Sequence, residues 1–134
     1  MAEDCLFCKI IKGEIPSSKV YEDENTYVFM DIAKDVDGHM LVIPKKHCRS
    51  MLEADSETLA HVAATVQKVS AHLINDCGYD GVNLLNCTNA EAGQTVFHYH
   101  MHIVPRKKGD GLPPVPAYPG AKEEIASVFE KVKM

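Results

Sequence analysis

Three histidines alternate with apolar residues in the segment His98-Tyr99-His100-Met101-His102. Successive side chains of a β-strand point to opposite faces, so this spacing predicts three imidazoles on one face and an apolar, core-forming face on the other. An imidazole has an unperturbed pKa of about 6.5, and such a face can therefore attack, donate protons or bind anions or metal near neutral pH. We predict a strand over Val96–Val104 that ends at Pro105.

The histidine face has three possible roles. A solvated strand that is merely rich in histidine is disfavoured, because the alternation with apolar residues is strict. A single metal ion held by all three imidazoles is also disfavoured, since His98 and His102 would lie about 13 Å apart on a straight strand. We favour a catalytic row in which the central residue, His100, reacts and its two neighbours assist it.

The composition limits the classes of function. The chain has 134 residues, enough for one domain with a core, and its formal net charge of −5 argues against a nucleic-acid partner. No apolar run is long enough for a transmembrane helix, and the N-terminal residues do not have the pattern of a secretion signal. Five cysteines form an odd set, which favours free or metal-bound thiols in a reducing compartment and hence a cytoplasmic location.

Hydrophobic periodicity predicts an α+β domain with an antiparallel sheet. Along the chain we expect a short helix over Phe7–Lys12, strands at Val20-Tyr21, Thr26–Met30 and Met40–Ile43, a long helix capped by Asp55 or Ser56 and stopped by Gly78, a strand over Gly81–Leu85, the histidine strand, and an amphipathic helix within residues 121–133.

Cys5 and Cys8 form a Cys-x-x-Cys pair near the N-terminus. Two unrelated buried thiols or a redox pair are possible, but redox pairs of this kind usually open the helix of a βαβ unit, and none is apparent. Half of a zinc site is the stronger interpretation, and it needs two further ligands. The candidates are His39, His47 and one histidine of the triplet.

Two polar segments are candidates for contacts with a ligand. The loop Ala92-Gly93-Gln94-Thr95 precedes the histidine strand and offers uncharged donors and backbone amides to an anion. Asp31 follows an apolar strand, where an aspartate is usually a turn residue but can also accept hydrogen bonds from sugar hydroxyls.

His98-Tyr99-His100-Met101-His102-Ile103-Val104 resembles the motif of the histidine triad (HIT) family. The resemblance covers most of residues 4–107, so we predict a single HIT domain over 1–134 with a C-terminal extension over 108–134. The further blocks that carry it are Phe7-Cys8-Lys9-Ile10-Ile11, Gly13-Glu14-Ile15-Pro16, Phe29-Met30-Asp31-Ile32, His39 to His47 and Ala92-Gly93-Gln94-Thr95-Val96.

The resemblance implies a homodimeric fold with a five-stranded antiparallel sheet, one long helix and short terminal helices. It also implies a hydrolase that binds a purine nucleoside monophosphate and cleaves a phosphoramidate or phosphoanhydride bond at the α-phosphate. His100 falls at the position of the nucleophile, which forms a covalent nucleotidyl-histidine. His102 would contact the phosphate and assist the leaving group, His98 flanks the nucleophile, and His39 lines the same pocket.

The same resemblance assigns the binding residues. Cys5, Cys8, His47 and His98 would hold a structural zinc ion. The predicted nucleotide-binding residues are Leu6, Phe7, Ile10, Phe29, Asp31, Ile32, Asn86, Gly93, Gln94 and Thr95; plain core packing is the alternative for the apolar ones.

Two other functions stay open at this point. One is a dinucleoside polyphosphate hydrolase, because the tail lacks the tryptophan of the phosphoramidase branch. The other is a non-catalytic adaptor that binds zinc and a nucleotide. Cys87 also falls where many relatives carry an asparagine near the phosphate, so Asn86 and Asn89 are the two candidates for that contact.

Overall fold

The computed structural model describes residues 4–33, 35–115 and 117–134. Its elements are α1 (Leu6–Ile11), β1 (Lys19–Glu22), β2 (Thr26–Met30), β3 (Met40–Pro44), α2 (Ser56–Asn75), β4 (Gly81–Leu85), a single 3-10 turn (Ala90–Ala92), β5 (Met101–Arg106) and α3 (Ile125–Val132).

The five strands form one antiparallel sheet in the order β1-β2-β3-β5-β4. This confirms the predicted α+β class, with one long helix and short helices towards the two ends of the chain. In the described part of the chain, no helix combines the length and apolar character that crossing a bilayer needs.

Side-chain alternation in the central strands builds two cores, one on each face of the sheet. Val28 and Val42, which pair across β2 and β3, pack with the apolar stripe of α2. Their neighbours Phe29 and Ile43 point the other way and pack with Phe7 of α1. Strands covered on both faces are apolar throughout, which explains why β2 and β3 read as continuous hydrophobic runs.

Helix α2 starts where its sequence predicts. Asp55 is the N-cap, and its carboxylate accepts a hydrogen bond from the Thr58 N–H at 2.7 Å. The cap satisfies one of the backbone donors that have no partner within the helix. The same carboxylate lies 2.6 Å from Lys46 Nζ, and this hydrogen bond is the main reason that the pKa of Asp55 is held far below its usual value.

The predicted histidine strand is wrong at both ends. Strand β5 begins at Met101, so His98 and His100 precede it, and Pro105 lies inside it. The segment before β5 bonds elsewhere: the Tyr99 N–H donates to the Cys48 carbonyl at 2.8 Å. Pairing between β3 and β5 ends at Ile103. At position 105, β5 therefore pairs only with β4 on its other side, as a strand at a sheet edge does, and a proline is tolerated there.

The predicted alternation of faces nevertheless persists through this irregular segment. Tyr99 and Ile103 are buried in the core beneath α2. His98 and His100 lie on the other face, where both rings contact Phe7 edge-on at centroid distances of 5.9 and 5.1 Å. An extended chain alternates its side chains whether or not a ladder is formed.

Gly38 has a backbone that an alanine should disturb strongly. Its φ is +83°, and a Cβ there would lie 2.9 Å from Pro105 Cγ and 3.0 Å from Tyr79 Oη. We expect Gly38→Ala to lower the free energy of unfolding by about 2–4 kcal/mol, from left-handed strain plus the clash. Urea denaturation measures this loss.

Gly13→Ala is the matched control for that experiment. Gly13 has a similar φ of +80°, but nothing lies within 4 Å of its added Cβ. The control should therefore lose only about 1–2 kcal/mol through backbone strain. Equal losses in the two variants would contradict a steric role for the packing around Gly38.

Candidate functional site

Two cysteines and two histidines converge between α1 and the segment before β5. The Nδ1 atom of His98 lies 3.3 Å from Cys5 Sγ, 3.5 Å from Cys8 Sγ and 3.1 Å from His47 Nδ1. His47 Nδ1 is in turn 3.4 Å from Cys8 Sγ. All four donor atoms lie within 4.8 Å of one another, so these residues could hold a single metal ion.

The protonation state of His98 suits a metal ligand. Its Nε2–H donates to the Pro44 carbonyl at 2.8 Å, which leaves the Nδ1 lone pair facing the thiols. Burial, more than any other cause, lowers the pKa of His98 to about 4, so the ring is neutral near neutral pH. Two sulfur and two nitrogen donors are a set that Zn²⁺ prefers, and a backbone acceptor on the second ring nitrogen is usual for a ligating histidine.

His100 is held in one tautomer by its own chain. Its Nδ1–H donates to the His98 carbonyl at 2.7 Å, so a neutral ring keeps the lone pair on Nε2. The ring is buried, and burial lowers its pKa, which favours the neutral form. The Asn86 amide donates to the His100 carbonyl at 3.0 Å and helps to fix the backbone. His100 is therefore held in a fixed orientation with an unprotonated Nε2.

His102, His39 and Asp35 form a continuous chain of hydrogen bonds. His102 Nδ1 lies 2.8 Å from His39 Nε2, and His39 Nδ1 lies 3.0 and 3.1 Å from the two carboxylate oxygens of Asp35. Burial, followed by the neighbouring imidazoles of His100 and His39, lowers the pKa of His102 to about 4. A neutral His102 linked to a second imidazole can pass a proton through its ring.

Asp31 lies at the entrance to this chain. Its Oδ2 atom is 3.6 Å from His39 Nε2, while its Oδ1 atom accepts the Ala33 N–H at 2.8 Å. A cavity of about 830 Å³ lies beside it, with Ile32 and Asp35 also in its wall. A cavity of this size has room for a small organic ligand.

The histidines thus form a row beside a candidate metal centre, with His98 and His100 buried and His102 partly buried. Residues 12–109 match the family model of the HIT domain. The chain belongs to the HIT family. This chain is 48% identical over 112 residues to a relative from Bacillus subtilis that is named Protein hit. The match covers 83% of this chain and 77% of that relative.

Two further relatives of the HIT protein bear on its site. An adenosine 5′-monophosphoramidase of Schizosaccharomyces pombe is 38% identical over 133 residues, with 96% of this chain and 95% of that protein covered. A Zn-bound histidine triad family protein from Mycobacterium smegmatis has a TM-score of 0.78 at 39% identity, with 83% of this chain and 81% of that chain covered.

In the loop before the triad, one side chain is buried and hydrogen-bonded, and two neighbouring residues are exposed. Gln94 is buried: its Nε2 group donates to the Arg49 and Val96 carbonyls at 2.8 and 3.1 Å, and its Oε1 accepts the Asn89 N–H. The amide therefore shapes the loop. Gly93, with a φ of +97°, and Thr95 are exposed on the same loop.

The five apolar residues predicted to contact a base fall into two groups. Phe7, Ile10 and Phe29 are buried together in the core beneath the histidines, which is the packing role that the sequence leaves open for them. Leu6 is 44% exposed and Ile32 is 94% exposed. Of these five residues, only Leu6 and Ile32 offer a large apolar surface to a ligand.

Asp35 is the site residue that the sequence analysis misses. It belongs to the connection between β2 and β3, and its only sequence signal is a position four residues before His39. An aspartate in a polar connection is normally a turn residue. Its contact with Nδ1 of His39 distinguishes it from Asp37, which is exposed in the same segment.

Proposed function

We propose that this HIT protein hydrolyses derivatives of a purine nucleoside 5′-monophosphate at the α-phosphorus, preferring phosphoramidates, through a nucleotide covalently attached to His100. The observation that carries the proposal is the Nδ1–H bond of His100 to the His98 carbonyl, which leaves a neutral nitrogen as nucleophile. The relative named as an adenosine 5′-monophosphoramidase, similar along nearly the whole chain, supports the same reaction class.

In the first step, Nε2 of His100 attacks phosphorus and the P–N bond breaks. The bonding pair leaves with the amine nitrogen, which takes a proton from Nε2 of His102. Nδ1 of His102 takes a proton from His39 Nε2 across their 2.8 Å contact. His39 starts as an imidazolium and ends neutral, so one proton has moved to the leaving amine.

In the second step, water attacks phosphorus and the bond to His100 breaks. The proton of the water goes to Nε2 of His102, whose Nδ1 proton returns to His39. Nucleoside monophosphate leaves, and all three imidazoles regain their starting states. Splitting one difficult phosphoryl substitution into two positioned steps is the advantage of a covalent nucleophile.

The nucleoside would lie next to Asp31, whose carboxylate would accept hydrogen bonds from the ribose hydroxyls. Ile32 and Leu6 have exposed apolar surface to offer the purine, and the buried Phe7, Ile10 and Phe29 support the floor beneath it. Exposed Gly93 and Thr95 would contact the phosphate or the leaving group, and Asn86 and Gln94 would hold the surrounding backbone.

We also propose that the metal is zinc and that its role is structural. Four protein ligands would complete a tetrahedral shell, so zinc would supply a cross-link and no open position for catalysis. Cys5 and Cys8 would tie α1 to His98, two residues before the nucleophile. His98 then serves the reaction by orientation.

The homodimer and the cytoplasmic location stay predictions. Leu84 and Leu85 of β4 are each 49% exposed. They offer the apolar surface that a second subunit would cover.

The test of the proposed function is a substrate panel with metal-loaded protein. We expect hydrolysis of an adenosine 5′-phosphoramidate at on the order of 1–10 per second, the usual range for an enzyme on a suitable substrate. Chromatographic detection of AMP measures the rate. Faster hydrolysis of diadenosine polyphosphates would indicate the alternative hydrolase, and AMP binding without hydrolysis of any substrate would overturn the enzymatic proposal.

A further inference from the structure

Asp35 is held in a defined orientation although its side chain is 55% exposed. The Val36 N–H donates to Oδ1 of Asp35 at 2.8 Å. Both oxygens face Nδ1 of His39, at 3.0 and 3.1 Å. This hydrogen bond is the largest cause that lowers the pKa of Asp35, so the carboxylate is ionised near neutral pH.

We propose that Asp35 is a positioning residue that fixes the direction of proton transfer along His39 and His102. This inference rests on the proposed function and adds to it a residue outside the histidine motif. The carboxylate keeps a proton on Nδ1 of His39, so Nε2 always faces His102. The first step starts from His39 with protons on both ring nitrogens, and the carboxylate accepts the Nδ1–H of that form as well.

The need for Asp35 follows from the two protonation states of His39. As an imidazolium, His39 donates from Nδ1 to Asp35 and from Nε2 to His102. After the first step only one proton remains, and Asp35 holds it on Nδ1. Without the carboxylate, this proton can lie on Nε2, and that tautomer cannot accept the proton that returns through His102.

The other charged and titratable groups around His39 face its second nitrogen. Asp31 lies 3.6 Å from Nε2, and His102 Nδ1 lies 2.8 Å from it. His100 contacts His102, with ring centroids 5.0 Å apart. Among the described residues, Asp35 is the carboxylate that hydrogen-bonds to Nδ1, so no neighbour duplicates its role.

The kinetic test compares two leaving groups in the Asp35→Asn variant. An alkylamine phosphoramidate of adenosine needs a proton on its leaving group, whereas the 4-nitrophenyl ester of AMP releases a stable anion. In rapid-quench single turnovers, we expect the rate constant of the first step to fall about tenfold on the amine substrate and to stay within about twofold on the ester, because only the amine needs a proton delivered in that step. Asp37→Asn removes the same charge from the same segment and should stay within about twofold on both.

An equal loss on both substrates, or no loss on the amine, would overturn the positioning role. A measurement without turnover separates this inference from the proposed function. In long-range ¹H–¹⁵N spectra, neutral His39 should carry its proton on Nδ1 in the wild type and populate both tautomers in Asp35→Ala. An Nε2–H tautomer in the wild-type protein would refute the inference even if hydrolysis is confirmed.

Discussion

His100→Asn is expected to abolish hydrolysis of an adenosine 5′-phosphoramidate, lowering kcat by about 10³-fold or more. The variant lacks the ring nitrogen that would bond to phosphorus, and loss of a covalent nucleophile usually costs three or more orders of magnitude. AMP affinity should stay within about threefold, because Asp31 and the 93–95 loop are unchanged. Single-turnover kinetics and calorimetric AMP titration measure the two quantities.

His61→Asn is the matched control for this variant. His61 lies on α2 with a partly exposed side chain, away from the triad. It should keep wild-type kcat and AMP affinity. Wild-type turnover by His100→Asn would refute the nucleophile assignment, and so would the absence of a nucleotide-modified, His100-containing peptide after rapid acid quench of the wild-type enzyme.

Loss of the metal is expected to have the largest effect on stability. The four candidate ligands come from α1, from the loop after β3 and from the segment before β5, so a bound ion would cross-link parts of the chain that are distant in sequence. Metal affinity then contributes directly to the folding free energy. We expect chelation, or Cys8→Ser, to lower the thermal midpoint by about 10 °C or more, equivalent to about 3 kcal/mol in a domain of this size.

Calorimetry of the chelated and zinc-reconstituted wild type tests this without a substitution. Cys77→Ser controls for the loss of a thiol, since Cys77 is exposed and lies outside the cluster of ligands; its midpoint should stay within about 2 °C. A native mass spectrum that chelator leaves unchanged, together with an unchanged thermal midpoint, would contradict the zinc proposal.

The elements with strong local signals follow their sequence closely. Strand β4 covers Gly81–Leu85 as predicted, and α2 begins after Asp55. In both cases the information is local. The length of the apolar run and the turns that flank it predict β4, and a side-chain cap followed by a stripe of apolar residues at helical spacing predicts α2. The error at β5 has the opposite cause. The Tyr99 N–H bonds to the Cys48 carbonyl, and the Val96, His98 and His100 carbonyls accept hydrogen bonds from side chains rather than from a neighbouring strand.

The amino-acid sequence by itself determined the family, the two-faced histidine segment and the presence of a Cys-x-x-Cys pair, because periodicity and spacing are properties of the chain alone. The resemblance to the HIT family already indicated His47 and His98 as the partners of those thiols, whereas only the tertiary structure decided which histidines meet each other. From spacing, His39 and His47 were equal candidates; strand register and loop path bring His47 to the thiols and His39 to His102 and Asp35. Contacts between distant segments depend on the packing of the whole sheet, which no local pattern encodes.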